Sequence, residues 1–149
     1  MTPDRPDWTA TIEVPVTWAD MDAFGHVNNA IYFRYFESSR IDYLTRIGWF
    51  DAPGAPSGNS GPGVILHSVH ARFRRPVTYP DSLLLSSRLA ALHEDRFTLE
   101  HEVWSTRLSD VVAEGSGIIV AYDYNRREKS RIPDDIRERI AALEENRQT

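Results

Sequence analysis

Hydrophobic and polar residues alternate along much of this chain. Between Thr9 and Trp18 the apolar side chains fall on every second position, which is typical of a half-buried β-strand. Pro15 lies on the opposite face, so we expect this strand at a sheet edge or beside a bulge. The same period returns after residue 63. It predicts four further strands, over Val64–Arg75, Leu83–Leu92, Phe97–Thr106 and Val111–Tyr124.

One long segment, about Asn29–Ile47, breaks the alternation and has helical spacing instead. Its aromatic and aliphatic side chains cover a wide surface, which predicts a helix largely wrapped by other structure. Gly48 is well placed to end it in a left-handed cap. At about 19 residues and about 1.5 Å per residue, the helix would be nearly 30 Å long. A shorter amphipathic helix is predicted over about 133–146.

The order of these elements is strand, long helix, four antiparallel strands and terminal helix, which indicates an α+β fold. A helix with so wide an apolar surface is best buried by a curved antiparallel sheet around it. Residues 51–63 are rich in Gly and Pro and are predicted to form a loop. We expect one domain over 1–149, with its core at about 9–125.

The amino-acid composition argues against several classes of function. The chain has 149 residues, 41% hydrophobic and 26% charged, and a net charge of −5, which disfavours nucleic acid as a partner. It contains no cysteine, which excludes disulfides, thiol nucleophiles and thiolate metal centres and suits a cytoplasmic location. No apolar run approaches the roughly 20 residues of a membrane helix, and no signal peptide is expected.

The candidate chemistry lies in Asp20–Asn29, which places two carboxylates, an imidazole and two amides just before the long helix. If Asn28 is the N-cap, the backbone N–H of Asn29 is free at the positive end of the helix dipole. Such an N–H is suited to polarising a carbonyl, and a loop carboxylate could attack that carbonyl or deprotonate water. The alternative is that Asp20 and Asp22 only cap or shape the loop.

Other catalytic layouts are missing from the sequence. It has no G-x-S-x-G elbow, phosphate-binding glycine loop or H-E-x-x-H motif. His67 and His70 are three apart on a predicted strand, so they would point to opposite faces and not share a metal. We therefore expect neither a metal nor a cofactor.

Residues 16–44, VTWADMDAFGHVNNAIYFRYFESSRIDYL, resemble the signature of hotdog-fold acyl-CoA thioesterases of the 4-hydroxybenzoyl-CoA thioesterase type. Arg75-Pro76-Val77, before the turn at 79–82, is also similar to a family feature. The resemblance implies the hotdog fold, a curved sheet around a central helix. It further implies homodimers whose sheets join into one, often paired into homotetramers, with active sites at the dimer interface.

The resemblance also implies roles for single residues. The second Asp of the D-x-D pattern, Asp22, is the catalytic carboxylate, and Asn29 supplies its backbone amide to the thioester carbonyl. Plant acyl-carrier-protein thioesterases share the D-x-x-x-H-V-N-N run, which makes His26 a further catalytic candidate. Those enzymes have Asn where this chain has Phe24, and Asp20 is expected to be structural.

Coenzyme A recognition departs from the family pattern. A basic cluster near residues 92–96 holds the coenzyme A phosphates in a well-known member, whereas this chain has Leu-His-Glu-Asp-Arg there. Either other side chains bind the phosphates or the carrier is not free coenzyme A. The candidate substrate-binding residues are Arg72, Arg74, Arg75 and Arg88.

The sequence thus predicts hydrolysis of an acyl-CoA or acyl-carrier thioester. One alternative is a non-catalytic module that binds acyl thioesters or acyl carriers on the same fold. Another is a hotdog hydratase or dehydratase, whose motif is not found here. Glu37 and Arg40 on the long helix form either an internal pair or part of the partner's site.

Overall fold

A computed structural model describes residues 5–52, 55–56 and 61–146. The chain begins with strand β1 and then forms the long helix α1. Seven strands and a final helix follow. The bounds are β1 Ala10–Pro15, α1 Asn29–Arg46, β2 Phe50–Ala52, β3 Ala55–Pro56, β4 Gly63–Phe73, β5 Ser82–Leu92, β6 Arg96–Ser105, β7 Asp110–Asp123, β8 Glu128–Lys129 and α2 Asp134–Asn146.

The main sheet is antiparallel, with strand order β1-β5-β6-β7-β4 and with β8 paired to β7. β1 and β4 are therefore its two edges, and Pro15 lies on an edge strand, as predicted. β2 and β3 form a separate small pair. The predicted α+β hotdog architecture, a curled antiparallel sheet with the long helix against it, is confirmed.

Helix α1 packs on the sheet through one face. Its buried residues recur at the three- and four-residue spacing of a single helical stripe, Tyr32, Tyr35, Phe36, Ser39, Arg40, Tyr43 and Leu44. Phe33 lies at the margin of this stripe, where its ring contacts Phe36, and it is 39% exposed in the single chain. The sheet thus covers less of the helix than the wide apolar surface predicted.

Two apolar clusters fill the space between helix and sheet. One surrounds the start of α1 and contains Val27, Tyr32 and Phe36. The other surrounds its end and is closed by α2 through Ile136 and Ile140. Within the described residues, neither helix combines the length and hydropathy needed to cross a lipid bilayer.

A buried polar layer lies under the middle of α1. His101 on β6 is 2% exposed, and its Nδ1 lies 3.2 Å from Ser39 Oγ. The ring of Phe36 stacks on His101 with the centroids 5.5 Å apart. Burial, with a smaller contribution from the nearby charge of Arg40, lowers the pKa of His101 to about 3. His101 is therefore neutral at physiological pH.

The structure differs from the sequence predictions at short elements. β1 ends at Pro15 because Val16 N–H donates to the carbonyl of Asp81, outside the strand ladder. A 3-10 turn, Trp18–Asp20, follows and leaves Trp18 74% exposed, whereas the alternation predicts a half-buried strand up to this residue. β3 and all of β2 except Phe50 fall in the predicted loop 51–63, and residues 53–54 and 57–60 lie outside the described residues.

α1 approaches the sheet closely at Gly115 on β7. A Cβ at this position would lie 2.6 Å from Phe36 Cζ, whereas one at Gly117, two residues further on the same strand, would meet its nearest neighbour at 3.6 Å. We expect Gly115→Ala to lower the free energy of unfolding by about 1–3 kcal/mol through overpacking. Gly117→Ala is the matched control and should change it far less. Urea denaturation measures both, and equal losses would contradict this packing.

His101 makes stability depend on pH. Its pKa is lowered to about 3 in the folded chain from an ordinary value of 6.5, so the unfolded chain takes up the proton first as the pH falls. Its contribution is complete above pH 6.5 and is lost as the pH falls from there toward 3.

We expect wild type to lose about 2 kcal/mol more unfolding free energy between pH 7 and pH 5 than His101→Gln, which cannot titrate. His93→Gln, at an exposed position, is the control and should keep the wild-type slope. Denaturation curves at the two pH values provide the comparison. A His101→Gln slope equal to that of wild type would refute this role.

Candidate active site

The segment before α1 folds into a tight loop. Met21 and Val27 form an isolated antiparallel bridge that brings the loop ends together. Asp22 N–H donates to the carbonyl of His26 at 2.8 Å, and Gly25 N–H donates to the carbonyl of Asp22 at 3.1 Å. Gly25 has φ +80°, a left-handed conformation that glycine adopts at little cost. The loop geometry therefore follows from its backbone hydrogen bonds and this glycine.

The Asp22 carboxylate is oriented by the loop that it belongs to. Its Oδ1 accepts hydrogen bonds from Phe24 N–H at 2.9 Å and from His26 N–H at 3.4 Å. Its Oδ2 accepts none from the described part of the chain. One oxygen is thus fixed, and the other is free to act on a ligand or a water molecule.

The start of α1 presents an unused donor beside this carboxylate. Asn28 is the N-cap, as predicted, and its Oδ1 accepts from Ala30 N–H at 3.0 Å. Asn28 N–H donates to the carbonyl of Asp20 at 2.9 Å, which ties the cap to the loop. Among the hydrogen bonds of the described residues, none uses the N–H of Asn29. This N–H lies at the positive end of the helix dipole.

One open cleft of about 580 Å³ brings these groups together. All three predicted catalytic residues, Asp22, His26 and Asn29, line it. His26 is exposed, and its imidazole makes no hydrogen bond within the described ranges. The rest of the lining consists of Phe24, Val27, Asn28, Tyr32, Phe73, Arg74, Arg75 and Pro76.

Two of the four predicted arginines lie at this cleft. Arg74 N–H and Arg75 N–H both donate to the carbonyl of Val112, which fixes the chain at the end of β4. The guanidinium group of Arg74 pairs with Glu114 and that of Arg75 pairs with Asp110, each at 3.0 Å. The hydrogen bond from Arg75, together with one from Val111 N–H, lowers the pKa of Asp110. Both arginine side chains remain about half exposed and line the cleft.

The other two arginines line a separate cleft of about 410 Å³, which they share with Glu100 and Glu102. These glutamates alternate on β6 with the buried residues that face α1, so this cleft lies on the other side of the sheet. Arg88 donates to Glu100 at 2.8 Å and stacks over Trp8 at 4.2 Å. The structure therefore does not bring Arg72 and Arg88 together with Asp22.

Sequence reasoning missed two aromatic residues of the cleft, Tyr32 and Phe73. Their rings touch edge to face with centroids 5.2 Å apart. Burial, and secondly the charge of Asp81, raises the pKa of Tyr32 to about 12, so its hydroxyl stays protonated. The available signal was spacing, because Tyr32 lies three residues after Asn29 and so on the same side of the helix start.

The chemistry of the cleft is that of a polarising donor beside a carboxylate. In the described ranges, no group of three or more Asp, Glu or His side chains is placed to hold a metal ion. The arrangement can hold a carbonyl oxygen at the Asn29 N–H and present a carboxylate oxygen or a water molecule to its carbon.

Comparison with known proteins identifies the family of this fold. A family profile described as the thioesterase-like superfamily matches residues 16–140, most of the chain. The chain belongs to the thioesterase-like superfamily. The family resemblance and the enzyme class predicted from the sequence, a thioester hydrolase, are thereby confirmed at the level of the family.

Three relatives illustrate this thioesterase family. A thioesterase from Thermus thermophilus, solved with coenzyme A and Zn, has a TM-score of 0.78 and 28% identity, covering 93% of this chain and 97% of that one. The long-chain acyl-CoA thioesterase FadM of Escherichia coli is 23% identical over 88% of this chain and 96% of its own length. The chloroplastic acyl-acyl carrier protein thioesterase ATL3 of Arabidopsis thaliana is 27% identical over 87% of this chain, which spans only 66% of that relative.

Proposed function

We propose that this protein hydrolyses an acyl thioester to a free acid and a thiol, with Asp22 and the backbone amide of Asn29 as its catalytic groups. One observation carries the proposal: an unused helix N-terminal N–H and an unused carboxylate oxygen belong to residues that line the same cleft. Thioesterase relatives from three organisms support the same reaction class.

In the proposed reaction the thioester carbonyl oxygen accepts a hydrogen bond from Asn29 N–H. This donor and the helix dipole stabilise the negative charge that develops on the oxygen during attack. Asp22 Oδ2 either takes a proton from a water that attacks the carbonyl carbon, or attacks that carbon itself to form a mixed anhydride that water then opens. In both routes the carbon–sulfur bond breaks and the thiol leaves with a proton.

His26 is proposed to orient the attacking water. Its imidazole projects from the loop that also holds Asp22, and it is exposed at the cleft. It is free of other hydrogen bonds among the described residues, so it can turn toward a bound water molecule. Tyr32 stays protonated below a pKa of about 12, so it adds no competing negative charge.

The thiol carrier is proposed to be coenzyme A or an acyl carrier protein, which both end in a thiol and carry phosphate. The relatives support either one: FadM is named for acyl-CoA and ATL3 for acyl-acyl carrier protein. Arg74 and Arg75 line the cleft and suit the phosphates, because charge-assisted hydrogen bonds to phosphate are strong.

The proposal includes a homodimer joined along β4. The outer edge of β4 has no strand neighbour in the described sheet. Apolar side chains stay exposed along it, with Ile65 at 42%, Leu66 at 40%, Val69 at 37% and Phe73 at 42%. A long edge of this kind favours pairing with another strand. Further pairing into tetramers stays an expectation from the family.

The decisive test of the catalytic role is Asp22→Asn, measured as thiol release from short, long, branched and aromatic acyl-CoAs. We expect kcat to fall by about 100-fold or more, because the amide can neither accept the proton of water nor attack the carbonyl. Asp20→Asn is the matched control, with the same chemical change two residues away, and should keep near wild-type turnover.

The outcomes separate the hypotheses. If Asp22→Asn is folded and as active as wild type, the assignment of Asp22 as a catalytic residue is wrong, although the family membership of the chain is unaffected. If wild type binds acyl thioesters but releases no thiol from acyl-CoA or acyl carrier substrates, the protein is a binding module.

The arginine assignment gives a second kinetic prediction. Arg74→Gln and Arg75→Gln should each raise KM for acyl-CoA by about three- to tenfold, through loss of phosphate contacts, with little change in kcat. Arg72→Gln and Arg88→Gln are the matched controls, because the sheet separates them from Asp22. A larger KM effect from this second pair would place the phosphates on the other face of the sheet.

A further inference from the structure

Arg40 is a buried cation that forms no ion pair with any of the described residues. Its side chain reaches from α1 toward β7, where a Cβ on Gly117 would lie 3.8 Å from Nη1. The residue is 8% exposed, and its Nη1 makes no hydrogen bond within the described residues. Burial lowers the pKa of Arg40, while the charge of Glu37 acts in the opposite direction. A buried charge is costly unless it is paired, so a counter-charge is expected here.

Glu37 supplies negative charge that acts on Arg40, yet the two side chains form no ion pair. It lies one turn before Arg40 on α1 and is exposed. The described part of the chain contains no ion pair between the two side chains. An internal pair, one of the two possibilities raised by the sequence, is therefore absent from this arrangement.

Both side chains open onto the same hollow of about 280 Å³ between α1 and β4. Its lining is Phe33, Arg34, Glu37, Arg40, Leu66 and Val69. The hollow adjoins the unpaired outer edge of β4 and the exposed face of α1. Arg34 also lines it, but Arg34 is exposed and can be solvated by water, whereas Arg40 is buried.

We propose that in the homodimer Arg40 of each protomer pairs with the partner's Glu37. The occupant of this face is a second copy of the chain, because the face carries both members of an ion pair one helical turn apart. In a dimer with a twofold axis, every contact between two different residues occurs twice. Arg40 of one protomer then meets Glu37 of the other, and the same contact forms in the reverse direction. The inference rests on the proposed dimer along β4 and adds the charged contact that selects the partner.

Charge reversal on separate chains tests the pairing. Arg40→Glu puts a glutamate at both positions 37 and 40, and Glu37→Arg puts an arginine at both. Each variant alone places like charges against each other in a twofold dimer. We expect the dimer dissociation constant to rise by about tenfold or more in each, as measured by analytical ultracentrifugation. Glu138→Arg, an exposed site on α2 with the same change of net charge as Glu37→Arg, is the control and should dimerise as wild type.

Mixing the two variants distinguishes contacts between chains from contacts within one. In a heterodimer of Arg40→Glu with Glu37→Arg, both opposite-charge contacts between protomers are restored. We expect native mass spectrometry of the mixture to show mainly this heterodimer, with a dissociation constant within about threefold of wild type. A pair within one chain would not be rescued by mixing, so absence of heterodimer enrichment would overturn the proposal.

Folding and dimerisation are checked separately. Arg40→Glu places a carboxylate near the buried polar layer, so circular dichroism must confirm that it folds. If it does not, Glu37→Arg at its exposed position still tests the pair against Glu138→Arg. An unchanged dissociation constant for folded Glu37→Arg would overturn the proposal. A monomeric wild type would instead refute the dimer itself, and thiol release would remain an independent test of the thioesterase function.

Discussion

The contact between α1 and the sheet is the constraint on which the rest of the structure depends. At its centre Gly115 leaves the space that the Phe36 ring occupies, and His101, the cross-strand partner of Gly115, stacks on this ring. The position of the helix start is set by this packing and by the Asn28 cap, which is tied to the carbonyl of Asp20. The donor at Asn29 is therefore held by the core and the loop together.

Most of the candidate active site is formed by backbone features of the fold, and few dedicated side chains are needed. The helix dipole and the free N–H exist at the start of any capped helix, and the loop adds an oriented carboxylate. The backbone donors to Asp22 Oδ1 fix its direction without using its second oxygen. The partial exposure of the cleft in the single chain is consistent with completion by a second copy, as proposed.

Much of this was predictable from sequence, because long periodic segments and cap chemistry are local properties. The four long strands, the helix at Asn29 and the cap at Asn28 follow from spacing alone. The distribution of the arginines does not, because the face that Arg72, Arg74, Arg75 and Arg88 occupy depends on where β4 ends and on cross-strand partners. Trp18 was mispredicted for a similar reason, since a backbone hydrogen bond to Asp81 ends its strand early. The burial of Arg40 without an ion pair among the described residues is visible only in the packed helix.

The central claim is that a thioester carbonyl binds at the N–H of Asn29. Its most direct test is the amide proton NMR shift of Asn29 on addition of an acyl-CoA analogue with a ketone in place of the thioester, which binds but cannot be hydrolysed. The account predicts a downfield shift of the Asn29 amide proton that saturates with the analogue, because this N–H gains a hydrogen bond to the ketone oxygen. Saturable binding of the analogue with the Asn29 resonance unmoved would contradict it.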